Sequence, residues 1–172
     1  MTTSSSGGGL VGETVVIDET GLGLFQLRVK AGTSTFTVDE PVGVGGLGSG
    51  PNPYDLLSAA VGSCTLMTLK LYAERKKWPL QSVRVRVTHK RASAEGPDVF
   101  AKEVELNGPL DETQRARLLE IAEKCPVHRT LQRGSVIETV LVPPERFEDV
   151  AETDGAHSRD MREVCDEYGA PG

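Results

Sequence analysis

The chain has 172 residues, the length of one ordinary domain, and 38% of them are hydrophobic. Its net charge of −6 comes entirely from residues 145–172, because the preceding residues carry equal numbers of acidic and basic side chains. A neutral body with an acidic tail argues against nucleic-acid binding, and no apolar run approaches the ~20 residues that a membrane helix needs. We therefore expect a cytoplasmic protein that has no membrane segment and no secretory signal.

The N-terminal third of the sequence predicts a small sheet followed by a glycine-rich loop. Three strand-like runs cover residues 13–18, 22–30 and 33–40, with turn signals between them. Residues 41–50 contain five glycines, which allow backbone conformations that other residues avoid. A nucleotide-binding loop would need a Lys-Ser/Thr pair or a βαβ unit around these glycines. Neither accompanies them, so the sequence does not predict a nucleotide site.

The longest predicted helix spans residues 53–77. Asn52 is a good N-cap, Pro53 suits the first helical position, and Asp55 favours the positive end of the helix dipole. Trp78-Pro79 ends the helix. Apolar residues cover most of its circumference, which is typical of a helix buried on most sides. A chain this short has little material to wrap such a helix, so a partner subunit is the simplest cover.

The second half of the chain predicts a hairpin, helices and a last strand. Asp111 and Gln114 are predicted to form a capping box at the start of one helix. Pro126 is expected to end this helix at about Cys125. The predicted segments are strands over 81–91 and 99–107, a helix from 112 to about 125, a short helix over 127–132 and a strand over 135–142. Strands and helices do not alternate one for one, so the predicted fold class is α+β.

The domain organisation predicted from these patterns has three parts. Residues 1–12 are Ser/Gly-rich and predicted to be disordered, residues 13–144 form the folded domain, and residues 145–172 form a flexible acidic tail. A loose helix near 160–168 has no strong apolar face. Deleting both ends should therefore barely change stability, and Cys165 should be an accessible thiol.

Three cysteines, Cys64, Cys125 and Cys165, are too few and too scattered to form a disulfide framework. The simplest interpretation of each is a small buried hydrophobic residue. Cys125 has a second interpretation: because it precedes Pro126, it is placed to be the N-cap of the next helix. Free backbone N–H groups there, together with nearby His128, would lower the thiol pKa below its reference value of ~8.5.

Other chemistry for Cys125 is less well supported. The Cys125-x-x-His128 spacing is half of a zinc site, but no second pair of ligands accompanies it. A thioredoxin-like site would follow a strand rather than a helix, and a cysteine hydrolase usually takes nucleophile and base from different elements. The sequence therefore predicts no metal and no cofactor.

Two segments resemble the OsmC/Ohr family, named for osmotically inducible protein C and organic hydroperoxide resistance. The first runs from Asn52-Pro-Tyr-Asp through Ala-Ala-Val-Gly-Ser-Cys64 to residue 80, and the second covers residues 118–131 around Cys125-Pro-Val-His. The resemblance extends from about residue 23 to 142 and includes the glycine-rich loop. Tyr54-Asp55 replaces a more usual acidic–amide pairing, which is typical of a less-characterised branch of the family.

The resemblance implies an OsmC-like fold, in which antiparallel sheets surround the two long central helices of an intertwined homodimer. It also implies a thiol peroxidase that reduces organic hydroperoxides. Cys64 would be the thiolate that becomes a sulfenic acid, and Cys125 would close a disulfide that an external dithiol reduces. Glu40 and Arg28 are the candidates for the residues that activate the thiolate. The alternative is a non-catalytic dimeric module that binds an apolar small molecule in the same pocket.

Overall fold

The structure is a computed structural model that describes residues 14–91, 93, 96–143 and 156–169. The expected disorder of residues 1–12 lies outside this range. The described residues form an α+β fold with two separate antiparallel sheets. The strands are β1 (Val15–Glu19), β2 (Leu27–Ala31), β3 (Ser34–Val38), β4 (Ser82–Arg91) and β5 (Asp98–Asn107). The α-helices are α1 (Pro53–Arg75), α2 (Glu112–Ala122), α3 (Pro126–Arg133) and α4 (Ala156–Gly169).

The first sheet has the strand order β1-β2-β3, as the three N-terminal strand signals predict. Val29 at the centre of β2 lies opposite Ile17 on one side and Phe36 on the other. The turn between β2 and β3 contains Gly32, whose φ of 55° suits glycine. Ile17 and Phe36 remain 54% and 38% exposed, so much of the apolar surface of this sheet is uncovered in the single chain.

The glycine-rich loop is held closed by the buried carboxylate of Asp39. This side chain accepts hydrogen bonds from the backbone N–H groups of Glu40, Leu47 and Ser49 and from the Ser49 hydroxyl. Burial alone would raise the pKa of Asp39, but these hydrogen bonds lower it overall. At Gly46 an added Cβ would lie 1.8 Å from the Glu40 carbonyl oxygen, so the loop requires glycine there.

Helix α1 begins as its N-terminal sequence predicts. The Asn52 side chain accepts the N–H of Asp55, and the Asp55 side chain accepts the N–H of Asn52. The helix ends at Arg75, two residues before the expected position, where Lys77 takes a positive φ of 54°. By length and composition alone, α1 could also cross a membrane, which differs from the expectation that the chain has no membrane segment. In the structure it contacts β4, α2, α3 and α4, as a core helix does.

The β4–β5 hairpin packs against α1. Its strands pair over their full length, and Val83, Val85 and Val87 alternate with exposed residues along β4. Gly62 of α1 lies close to this surface, because an added Cβ there would be 3.1 Å from Val87. A glycine in the helix interior therefore permits close packing of helix on sheet.

The remaining helices surround α1 and complete the core. The capping box of α2 is formed by Asp111 and Gln114 as expected, and α3 begins at Pro126 with Cys125 as its N-cap. The core cluster consists of Leu69, Tyr72, Ala73, Leu110, Leu118, Ile121, Ala122 and Cys165.

Two expectations for the C-terminal part of the chain are wrong. Residues 135–142 do not form a strand in the single chain, although Val136, Ile137 and Leu141 carry the apolar side chains of one and stay at least 88% exposed. An isolated segment cannot form a sheet without a neighbouring strand to pair with. Helix α4 is also not a loose helix, because it packs against α1 and α3. The tail is therefore part of the folded domain over residues 156–169.

Candidate functional site

Cys64 and Cys125 lie side by side in the protein interior, although 60 residues separate them in the sequence. Helix α1 places Cys64 in its middle, and the Pro126 break places Cys125 at the N-terminus of α3. The two residues are 1% and 0% exposed, and each thiol has the largest influence on the pKa of the other. Both are free cysteines. The fold places the two residues next to one another, and their roles in catalysis stay a prediction.

The N-terminus of α3 supplies hydrogen-bond donors to this pair. The Val127 N–H, which has no partner within its own helix, points at the Cys64 sulfur at a distance of 3.4 Å. The Thr65 hydroxyl lies 3.3 Å from the Cys125 sulfur. These groups surround two sulfur atoms that water does not reach.

The two thiols differ in how easily they lose a proton. The pKa of Cys125 is lowered by its hydrogen bond with Cys64, and then by those of Thr65 and the His128 N–H, against the opposing effect of burial. The pKa of Cys64 is raised, because its proton is held in the bond to Cys125 and because the site is buried. Of the two thiols, Cys125 is therefore the one that loses its proton more easily, as its N-cap position favours.

A charged cluster adjoins the cysteine pair on the side of β5. The ammonium group of Lys102 donates to the Ala122 carbonyl oxygen at 2.7 Å and forms an ion pair with Glu123 at 3.3 Å. Glu123 also lies 3.5 Å from Nε2 of His128. These residues connect the end of α2, the start of α3 and the middle of β5.

An apolar pocket of about 590 Å³ opens beside the pair. Val61, one helical turn before Cys64, and His128, three residues after Cys125, both belong to its wall. Apolar residues supply the larger part of the lining, with Lys102 and Asp98 among the polar members. The full lining consists of Leu57, Val61, Asp98, Val99, Phe100, Lys102, His128, Leu131 and Gln132.

The other two expected site residues, Arg28 and Glu40, lie elsewhere in the chain. Arg28 is an exposed residue of β2, opposite Asp18 and Thr37. Glu40 is half-buried and follows β3 at the start of the glycine-rich loop. Among the described residues, neither side chain makes a hydrogen bond or ion pair with a cysteine of the same chain.

Cys165 was expected to be an accessible thiol. It is 1% exposed, however, and belongs to the core between α1 and α4. The expectation of an accessible third thiol is therefore wrong. Within the described ranges, no three His, Cys, Asp or Glu side chains are close enough together to hold a metal ion.

Two polar residues of the site were not found from the sequence. Lys102 shares its face of β5 with Phe100, Val104 and Leu106, so a lysine at an inward position was the available signal. Thr65 follows Cys64 directly and is fully buried. Its contact with Cys125 could not be inferred from sequence spacing alone.

Comparisons with known proteins agree on one fold. A crystal structure of a candidate osmotic stress induced and detoxification response protein from Psychrobacter arcticus 273-4 is 21% identical, with a TM-score of 0.59, and the match covers 67% of this chain and 85% of that one. An OsmC-like protein from Mycoplasma pneumoniae is 23% identical, with a TM-score of 0.56 and coverages of 69% and 84%. An organic hydroperoxide resistance protein OsmC from Legionella pneumophila is 21% identical, with a TM-score of 0.52 and coverages of 70% and 88%.

Among curated protein sequences, none matches the chain significantly. The family model for OsmC-like proteins matches residues 46–140, which is more than half of the chain and includes both Cys64 and Cys125. The chain therefore belongs to the OsmC-like protein family.

Proposed function

We propose that this protein is a two-cysteine thiol peroxidase that reduces organic hydroperoxides and forms a Cys64–Cys125 disulfide. The observation that carries the proposal is the proximity of two buried thiols beside an apolar pocket. A thiolate is the nucleophile in such chemistry, and a second thiol within reach converts the sulfenic acid into a disulfide before further oxidation. The Legionella pneumophila relative, an organic hydroperoxide resistance protein, supports the same reaction class.

The hydrogen bond between the thiols gives each cysteine a role in the proton transfers. The Cys125 thiolate takes the proton of Cys64, whose sulfur then attacks the terminal oxygen of the hydroperoxide. The O–O bond breaks, Cys64 becomes a sulfenic acid, and the alkoxide takes the proton from Cys125 and leaves as the alcohol. The Cys125 thiolate then attacks the sulfenic sulfur, which forms the disulfide and releases hydroxide. Two thiol sulfurs lose two electrons, and the peroxide gains them.

The pocket lining favours an organic hydroperoxide over hydrogen peroxide. Leu57, Val61, Val99, Phe100 and Leu131 offer an alkyl or aryl group an apolar surface. Burial of that group stabilises the complex by about 25 cal/mol for each Å² removed from water. Hydrogen peroxide has no such group. The disulfide is then returned to two thiols by an external dithiol.

Substitution of each cysteine tests the proposed roles. Cys64→Ser should abolish peroxide consumption, whereas Cys125→Ser should consume one equivalent of cumene hydroperoxide and stop at the sulfenic acid. Cys165→Ser is the matched control and should turn over like the parent protein. The reverse pattern for Cys64 and Cys125 would assign the first attack to Cys125. If all three variants behave alike, the peroxidase proposal fails and the apolar pocket is better explained as a ligand-binding site.

We further propose that the protein is a homodimer. Met67 on the outer face of α1 is 48% exposed, Ile17 in the first sheet is 54% exposed, and Val136 and Ile137 are almost fully exposed. Apolar surfaces of this extent usually mark an interface. A partner strand would also give residues 135–142 the backbone partners that they lack in one chain. A second copy is the partner that the family resemblance implies.

The mass in solution tests this proposal directly. Light scattering should give twice the chain mass of 18.4 kDa at micromolar concentration. Met67→Glu should weaken the dimer, because it introduces a charge into the apolar interface. Lys70→Glu, at an exposed position on the same helix, is the control for a change of charge alone. A stable folded monomer of the parent protein would contradict the proposal.

A further inference from the structure

Lys102 is a buried cation on an otherwise apolar face. Along β5 it shares the inward side with Phe100, Val104 and Leu106, and its side chain is only 7% exposed. Burying an ammonium group is unfavourable unless other groups compensate its charge. The position of this residue therefore needs a reason beyond packing.

The contacts of Lys102 hold its ammonium group next to the cysteine pair. It donates to the carbonyl oxygen of Ala122, three residues before Cys125, and pairs with the carboxylate of Glu123. It also forms part of the same pocket wall as Val61 and His128. An ammonium group has three N–H donors, and the described residues supply two acceptors.

Charged groups near the thiols come from two sides of the site. Lys102 lies on the β5 side, Glu123 at the corner between α2 and α3, and His128 on α3. From α1, the neutral hydroxyl of Thr65 contacts Cys125. The Glu123 side chain is 58% exposed, so solvent screens its negative charge. The buried charge of Lys102 is screened less. It also acts to lower the pKa of Cys125.

We propose that Lys102 supplies the positive charge that stabilises the thiolate of the Cys64–Cys125 pair, and that Glu123 and the Ala122 carbonyl hold it in place. Lys102 acts through the thiolate and need not contact the peroxide. The inference rests on the proposed function, since a stabilised thiolate is the reactive form of the pair. The activating positive charge would then come from Lys102 rather than from Arg28.

The pH dependence of thiolate formation tests this assignment without any peroxide. In a Cys165→Ser background, the ultraviolet thiolate absorbance is followed against pH for Lys102→Met, Lys102→Arg and Lys90→Met. Lys90 is an exposed lysine of the adjacent strand β4 and is the matched control. Loss of the charge in Lys102→Met should raise the midpoint by about one pH unit. Lys102→Arg and Lys90→Met should keep the midpoint of the background protein.

A midpoint in Lys102→Met equal to that of the background protein would overturn the assignment. If Lys102→Met fails to fold by circular dichroism, Lys102→Gln replaces it, because the amide can still donate to Ala122 without a charge. The same shift is expected, and its absence has the same meaning. A shifted midpoint in a protein that consumes no peroxide would contradict the proposed function and leave the role of Lys102 intact. An unshifted midpoint with normal peroxide consumption would contradict only the role of Lys102.

Discussion

Cys125 and Cys165 are both buried, but their environments shift the thiol pKa in opposite directions. Cys125 lies at the N-terminus of α3, where Cys64, Thr65 and the His128 N–H bond its sulfur and lower its pKa. Cys165 is packed between α4 and α1, where burial raises its pKa and Arg75 only partly offsets the effect. Both are at most 1% exposed. Hydrogen-bond donors, rather than the degree of burial, therefore separate the thiol with a lowered pKa from the thiol with a raised pKa.

The contacts around Cys165 differ in kind from the contacts around Cys64 and Cys125. Around Cys165 the contacts serve packing: Val164 is 4% exposed, and the Tyr168 carbonyl accepts hydrogen bonds from the Tyr72 hydroxyl and from Arg117. Around Cys64 and Cys125 the hydrogen bonds shift the pKa of the two thiols. A change in one environment should therefore leave the property of the other unchanged.

The largest expected effect is on stability and concerns the Cys165 environment. Deleting residues 156–172 should lower the free energy of unfolding by about 3 kcal/mol, because it uncovers the apolar surface that Val164 and Cys165 bury. Val164→Ala should cost about 1.5 kcal/mol, and Glu163→Ala, on the exposed side of α4, should cost close to nothing. Urea unfolding measures all three. A truncated protein as stable as the parent would show that α4 contributes no packing energy.

The second prediction concerns the ionisation of the three thiols. A thiol with a lowered pKa becomes a thiolate at lower pH, and one with a raised pKa does so at higher pH. A Cys165→Ser protein should therefore gain the absorbance of one thiolate below pH ~8.5, the reference value. A protein that retains only Cys165, made by Cys64→Ser and Cys125→Ser together, should gain none until the pH exceeds that value. Equal midpoints in the two proteins would remove the distinction between the environments.

The smallest expected effect comes from Thr65. Its hydroxyl lies 2.8 Å from the Val61 carbonyl oxygen and 3.3 Å from the Cys125 sulfur, so its single proton can turn towards a thiolate. Thr65→Val keeps the shape and removes this donor, which should raise the thiolate midpoint by about half a pH unit. Ser63→Ala, on the exposed side of the same helix, is the control. An unchanged midpoint in Thr65→Val would show that the Thr65 hydroxyl donates to the Val61 carbonyl oxygen and not to the Cys125 sulfur.

Local signals in the sequence were sufficient for much of the fold. Asn52 and Asp111 were identified as N-caps because capping depends on residues within one turn. Cys125 was identified as an N-cap because proline restricts the residue before it. The family resemblance then paired Cys125 with Cys64 across the fold.

The errors concern properties that depend on distant parts of the chain. Met161, Val164, Cys165 and Tyr168 have helical spacing, but the acidic composition of the tail concealed this face. The strand predicted for residues 135–142 has the right residues, yet one chain offers it no partner. The role of Arg28 is not among these errors and stays a prediction: Arg28 was selected by its position before the glycine-rich loop, and it lies on an exposed strand.

The most direct test of the central claim is the count of free thiols after oxidation. The parent protein, fully reduced, is treated with one equivalent of cumene hydroperoxide per chain, denatured, and titrated for thiols, and its peptides are mapped by mass spectrometry. We expect that the count falls from three to one, that Cys165 is the remaining thiol, and that Cys64 and Cys125 occur in one disulfide-linked pair of peptides. A count that stays at three, or a disulfide that includes Cys165, would contradict this expectation.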